Sequence, residues 1–249
     1  LVWNASPAVP QGAVLEIGGA TKGVYGYVTI AGGIAMPSQL GAGSAHLAAG
    51  LGRLLEAGDR LPLGDDPGGP VGLCLPEGAR FGGGLLRVLP SLQTNLYPAE
   101  ARQRFEHETF TRDSRGNRMG VRLVPEGAGF GLERGQTILS EVITPGDIQI
   151  PGDGFPYVLL SECQTTGGYP RIGTVLPCDL PRVAQAGPGA SLRFRFVGRD
   201  EALDAEARHR AWIAGLAKAA QPLVRDPATL PDLLSYTLIS GVTAGEELS

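Results

Sequence analysis

The sequence predicts a mainly β fold, a barrel or a sandwich with few helices. Three observations carry that expectation. Glycine (38 residues) and proline (20) punctuate the 249 positions every ten residues or so, a density that favours many short strands. The segments between them are short and apolar or alternating. A single stretch, 200–220, keeps helical spacing over several turns.

Taken in order, "GYVTIAGGI" (26–34) predicts a strand entering a glycine turn, and "GLLRVLP" (84–90) a second strand. "PAEARQRFEHETF" (98–110) predicts a helix with Pro98 at its first position and Ala101 and Phe105 on one face, running into a strand near 108–112. "GVRLVPEG" (120–127) alternates until a proline breaks it. "YVLLSE" (157–162), "RIGTVLP" (171–177) and "SLRFRFVG" (191–198) complete the strands around a short helix, "DLPRVAQ" (179–185). In 191–198, Leu192, Phe194 and Phe196 fall on one face and Arg193 and Arg195 on the other, as a half-solvated strand requires. The helix over 200–220 lines up Ala202, Ala205, His209, Trp212, Ile213, Leu216 and Ala220 as one stripe, with His209 as a packed histidine. The proline-broken tail from 221 onward reads as an extended arm.

Composition narrows the function. The chain is 43% hydrophobic and 18% charged, with a formal net charge of −4, which argues against a nucleic-acid binder with its basic stripe. Cys74, Cys163 and Cys178 lie far apart with no CxxC pair, and the three histidines are scattered. That pattern offers neither a disulfide framework nor a metal site, and it fits a cytoplasmic protein. No apolar run is long enough to span a membrane. The sequence opens without methionine, so a piece of a longer chain is expected.

One stretch stands out chemically: "CQTTGGYPRIGTV" (163–175) interrupts an apolar region with polar groups. Gly167 and Gly168 permit positive φ and bare backbone amides, which together can form a small anion- or carbonyl-binding concavity. Gln164 offers both donor and acceptor, the complement of a substrate amide or urea. Thr165 and Thr166 add hydroxyls, Tyr169 a phenol and Arg171 a charged fork. Spacing alone does not lift this segment above a polar turn, for it matches no phosphate-loop pattern. A second candidate is "DSRGNRMGVRL" (113–123), where an extended backbone would put Arg118, Gly120 and Arg122 on one face, suited to a carboxylate or phosphate. An ordinary solvated arginine face explains it equally. A third, glycine-rich segment (30–53) holds Ser44 and His46, a poor basis for a hydrolase triad.

The three stretches occur together, as "YVTIAGGIAMP", "NRMGVRL" and "QTTGGYPRIGTV" followed by "CDLPRVAQAGPGASLRF", with "PGDIQIP" (145–151) between. In that order the chain resembles the biotin-dependent carboxyltransferase family, from about Val24 to Val197. The family includes the C subunit of bacterial 5-oxoprolinase, proteins labelled allophanate hydrolase subunit 2, and the carboxyltransferase region of urea carboxylase. The resemblance implies cyclophilin-like β-barrel subdomains. Residues 1–84 would be the remainder of a truncated first subdomain, 85–199 the second, and 200–249 a C-terminal helix and tail.

The resemblance also implies an enzyme subunit whose site is shared with a companion of the subunit 1 type. Its substrate would be a small amide or urea, with no nucleic-acid or membrane partner. The 5-oxoprolinase members use ATP, through the complex, to open 5-oxoproline to glutamate; the urea carboxylase members take a carboxyl group from carboxybiotin on a partner carrier. Some relatives instead act as regulatory binding proteins that antagonise a kinase inhibitor. Gln164, Arg118 and Tyr169 are the expected catalytic residues. Thr165, Thr166, Gly167, Gly168, Arg122 and Arg171 are the expected substrate-binding ones, with no metal. Two departures stand out: Gly43 where the family often has arginine, and Asn117 where it often has aspartate, which removes a carboxylate partner for Arg118.

Overall fold

In the computed structural model, which describes residues 2–132 and 138–224, strands form where an apolar segment finds a partner edge. Along the chain the strands are β1 (Leu73–Cys74), β2 (Gly84–Leu89), β3 (Phe110–Asn117), β4 (Gly120–Pro125), β5 (Glu141–Val142), β6 (Asp147–Gln149), β7 (Tyr157–Leu159), β8 (Thr166–Gly167), β9 (Arg171–Val175), β10 (Ser191–Phe196) and β11 (Gln221–Pro222). The helices are α1 (Ala99–His107), α2 (Leu180–Gln185) and α3 (Arg199–Gly215). The chain divides into two compact units. Among the described residues the smaller takes in 2–13, Pro70–Glu77 and 216–224, and within it β1 runs antiparallel to β11.

The larger unit, Val14–Gly69 with Gly78–Gly215, contains a closed seven-stranded barrel in the order β10-β2-β9-β6-β7-β4-β3. The mainly β expectation with few helices is met. Every neighbouring pair in the barrel is antiparallel except β10 and β2, which run parallel with Leu192 opposite Gly84 and Phe196 opposite Val88. Cross-strand partners share a face, so the row Val121–Val158–Ile148–Gly173 lines one side of the sheet, and all four are buried. Gly173 is glycine because β9 and β2 approach closely: an added Cβ would stand 2.4 Å from Val88 Cγ1 and 2.9 Å from the Leu89 carbonyl oxygen. Gly173→Ala is expected to cost about 1–3 kcal/mol through overpacking, read as a lower urea midpoint.

Helix α1 starts one residue later than expected, with Pro98 as its N-cap. It drops Phe105 into an aromatic cluster, stacked on Phe194 at 4.7 Å and tilted against Phe110 at 5.3 Å. At the start of α2, Asp179 accepts from Arg87 Nε at 2.8 Å, from Arg87 Nη2 at 2.7 Å and from the Arg87 backbone N–H at 2.9 Å. Burial alone would raise the Asp179 carboxyl, but these bonds hold it below the usual range. A depressed folded value adds stability above the unfolded pKa, near 3.9, and that stability is lost as pH falls through the folded value. Asp179→Asn is therefore expected to flatten the acid limb of stability below about pH 5, measured as Tm against pH.

Two expectations fail. Residues 26–34 form no strand; Ile34 makes only an isolated bridge to Leu63, and Tyr27, Val28 and Ile30 are exposed. Alternation makes a segment competent for a ladder, but no partner strand lies beside this one among the described residues. The other concerns α3, where only Ala202 and Ala205 of the stripe are buried, while Trp212 and Ile213 are exposed and His209 stacks on Trp212 at 5.6 Å. The helix packs against β2, and among the described residues Trp212 and Ile213 in its second half stay largely open, with the Trp212 ring edge near Gly78. The tail expected as an extended arm lies outside the described residues from 225 onward, apart from β11 at its start.

Candidate functional site

The "NRMG" turn and the "SECQTTGG" segment, 40 residues apart in sequence, are bonded to each other. The β3–β4 hairpin closes with Asn117 opposite Gly120, and Asn117 Oδ1 accepts the Met119 N–H at 2.8 Å, which shapes the turn. Beyond β7 the chain turns at Ser161–Glu162, where the Leu160 N–H donates to the Met119 carbonyl and the Glu162 N–H to the Arg118 carbonyl, both at 2.9 Å. Arg118 Nη2 then reaches Glu162 Oε1 at 2.6 Å. The carboxylate missing at 117 is thus supplied by Glu162. Half of the Arg118 side chain remains open to solvent.

Next along the chain, Gln164, Thr165, Thr166 and Tyr169 are exposed, and no described side chain hydrogen-bonds to theirs. The stretch is more than a connection: Thr166–Gly167 form β8, antiparallel to β5, with Gly167 opposite Glu141. Neither Gly167 nor Gly168 takes a positive φ, so the expected amide concavity is not built that way. Gly167 is needed for a different reason. A Cβ there would lie 2.6 Å from Gln149 Nε2 and 3.1 Å from Ile143 Cδ1, so the absence of a side chain lets β8 lie flat on the residues beneath. Gly168 has room, with its nearest neighbour at 3.6 Å.

Beneath β5 and β8 lies a polar foundation. Arg171 donates from Nη2 to Glu141 Oε2 at 2.6 Å, and from Nη1 to Asp147 Oδ2 at 3.0 Å and the Val142 carbonyl at 3.1 Å. Asp147, 2% exposed, also accepts the Thr174 hydroxyl at 2.6 Å and the Thr144 N–H at 3.0 Å. Gln93 bridges the set, giving Nε2 to Glu141 at 2.9 Å and accepting the Arg171 N–H at 2.8 Å. Gln149 Nε2 is buried without a partner. One guanidinium therefore clamps the small β5–β8 sheet to β6.

Arg122 is engaged just as fully on the β3–β4 hairpin. It pairs with Asp113 at 2.8 Å and Asp153 at 3.0 Å and lies over the Phe155 ring at 4.1 Å. Asp113 is shared with Arg115, and these contacts, the Arg115 side chain first, hold its carboxyl well below the usual range. Arg118 sits in the hairpin turn rather than in the strand, so it does not share a strand face with Gly120 and Arg122. Among the sequence candidates, then, Gln164, Thr165, Thr166 and Tyr169 present open donors; all three arginines have carboxylate partners, but Arg118 is still half-exposed while Arg122 and Arg171 are largely buried. Cys163 is half-buried and its thiol is raised by burial, while burial first and Glu206 second push the Cys178 thiol up to about 12. His46 does not serve Ser44; its Nδ1 accepts the Ala49 N–H at 3.2 Å.

Gln93, Glu141, Asp147, Gln149 and Glu162 escaped the sequence reading. Asp147 and Gln149 stand inside "PGDIQIP", which carried a usable signal: two polar residues in a segment otherwise built to be buried. Gln93 and Glu141 belong to no pattern. No cluster of metal-ligating side chains exists among the described residues, and no helix there is long and apolar enough to cross a membrane.

Comparison with known proteins gives this geometry its setting. Residues 1–196 match the carboxyltransferase domain family, subdomains A and B. The chain is 32% identical over 200 residues to the 5-oxoprolinase C subunit of Haemophilus influenzae, covering 78% of this chain and 63% of that protein. It is 28% identical to urea amidolyase of Saccharomyces cerevisiae, over 75% of this chain but 11% of that protein. The solved Kluyveromyces lactis urea amidolyase superposes on 80% of this chain and 14% of its own, with a TM-score of 0.63 at 22% identity, a likeness of fold. The chain thus spans 63% of the length of the 5-oxoprolinase subunits it matches.

Proposed function

Because this chain belongs to the carboxyltransferase domain family, subdomains A and B, we propose that it serves as a subunit of an ATP-dependent 5-oxoprolinase, opening 5-oxoproline to glutamate together with partner subunits. The observation that carries this reading is identity: over similar shares of this chain, 32% to the 5-oxoprolinase C subunit against 28% to urea amidolyase.

The chemistry supports it. A lactam is an unreactive amide, and charge develops on its carbonyl oxygen in the slow step; preorganised donors at that oxygen are the usual means of stabilising it. Gln164 supplies an amide N–H, Thr165 and Thr166 hydroxyls, Tyr169 a phenol and Arg118 a guanidinium. Four project from the exposed 164–169 segment over a fixed floor, and Arg118 from the hairpin turn bonded to it. The proposed site is therefore one wall, completed by a companion of the subunit 1 type. A triphosphate would need several free cations, and Arg122 and Arg171 are both bound to carboxylates. In this reading ATP stays with the partner subunits.

The test is purified chain plus partner subunits, assayed for ATP-dependent glutamate from 5-oxoproline; intact partners and no glutamate would sink the proposal. The 28% identity to urea amidolyase supports a second reading, carboxyl transfer to urea from carboxybiotin on a partner carrier. Urea-dependent consumption of the carboxyl group in the same assembly, with 5-oxoproline inert, would favour it.

A further inference from the structure

We infer that the cavity between α1 and the 3-10 turn Thr94–Leu96 is a binding site for a free α-amino acid. It encloses about 340 Å³, room for one amino acid with some water, and is walled by Pro90, Asn95, Ala99, Arg102, Glu106 and Phe196. Arg102 and Glu106 stand four apart on α1, the spacing at which opposite charges on a helix meet. Their neighbours at the same spacing, Arg104 and Glu108, do meet, at 3.3 Å. Arg102 and Glu106 are held apart instead. Arg102 gives Nη1 to Asn95 Oδ1 at 3.1 Å, and Glu106 Oε1 accepts the Phe196 N–H at 2.8 Å.

The consequence is one open cation and one open anion on the same cavity wall. Arg102 Nε is closed off without a partner, and with Nη1 engaged by Asn95, Nη2 is the group left to hold a carboxylate through a charge-assisted hydrogen bond. Glu106 keeps its second oxygen for an ammonium group. A plain carboxylate in the cavity would face Glu106, and a plain amine would face Arg102, whereas a zwitterion satisfies both. Pro90 and Phe196 offer apolar surface to an aliphatic side chain. This site stands independently of the reaction proposed above.

The experiment is titration calorimetry of the whole chain with L-leucine, L-proline and L-glutamate, set against 4-methylpentanoate and N-acetyl-L-leucine, which lack the ammonium. At least one of the three amino acids is expected to bind one to one. The two ammonium-free probes should bind at least about tenfold more weakly than leucine, a difference of about 1.4 kcal/mol. Arg102→Met and Glu106→Gln should each weaken amino-acid binding by about tenfold or more, with thermal unfolding confirming that both variants stay folded. The inference is overturned if none of the amino acids binds, if 4-methylpentanoate binds as well as leucine, or if both variants bind as the parent does.

Discussion

Arg171→Met is expected to destabilise the larger unit by about 3–5 kcal/mol, since removing one partner of a buried ion pair leaves an uncompensated charge. The side chain of Asp147 is 3% exposed and that of Arg171 13%, so water cannot replace the lost guanidinium at Asp147. The same change frees the Val142 carbonyl and leaves Glu141 held by Gln93 alone, which loosens the β5 strand that holds Gly167 in register. Urea denaturation should show the loss. Arg171→Lys is expected to recover only part of it, because a single ammonium cannot span Asp147 and Glu141 as the planar fork does. Asp147→Asn combined with Arg171→Met should be less unstable than Arg171→Met alone. A loss below about 1 kcal/mol for Arg171→Met would show that the pair behaves as a surface contact.

Gln164→Leu should behave in the opposite way. Its side chain is exposed and bonded to no described side chain, so the folded chain should keep its unfolding midpoint within about 0.5 kcal/mol. Under the proposed 5-oxoprolinase reading, glutamate formation by the assembled complex is expected to fall by about 10²–10³ in kcat, the usual cost of removing one oxyanion donor. KM for 5-oxoproline should change far less. Arg118→Met offers a useful contrast, since it also breaks the pair with Glu162 and should move both stability and turnover. Unchanged kcat in Gln164→Leu would remove this residue from the site. The opposed signatures of Gln164 and Arg171 distinguish a group that meets substrate from one that holds the surface in place.

Why the sequence revealed some of this and not the rest follows from which signals are local. The β10 alternation is local: Leu192 and Phe194 are buried and Arg193 and Arg195 exposed, as period two demands. The strands near 108–112 and 120–127 were readable locally, but their pairing as a hairpin and the extension of β3 to Asn117 were not. Whether 26–34 forms a strand depended on a partner edge, which no local pattern encodes. The special character of "QTTGGYP" was visible as a density of donors, but the reason for Gly167 was not. That reason is Gln149, eighteen residues upstream and brought underneath by the β6–β9 pairing. Arg122 and Arg171 looked like ligand-binding arginines because their type suits anions. Of the carboxylates they bind, Asp113 meets Arg122 across the β3–β4 hairpin, while Asp153, Glu141 and Asp147 come from other strands and turns that only the tertiary fold brings within reach.

The parallel seam between β2 and β10 also sets the order of events during synthesis and refolding. Its partners, Gly84 and Leu192, are more than 100 residues apart, so the loop that joins them must close before the seam yields any contact. Hairpins such as β3–β4 can form early, but the ring stays open until Phe196 has left the ribosome. Until then β2 and β3 each present an unpaired edge to other chains. Closure is therefore expected to be the slow, late step of folding, and the interval before it the one in which the chain is most exposed to aggregation.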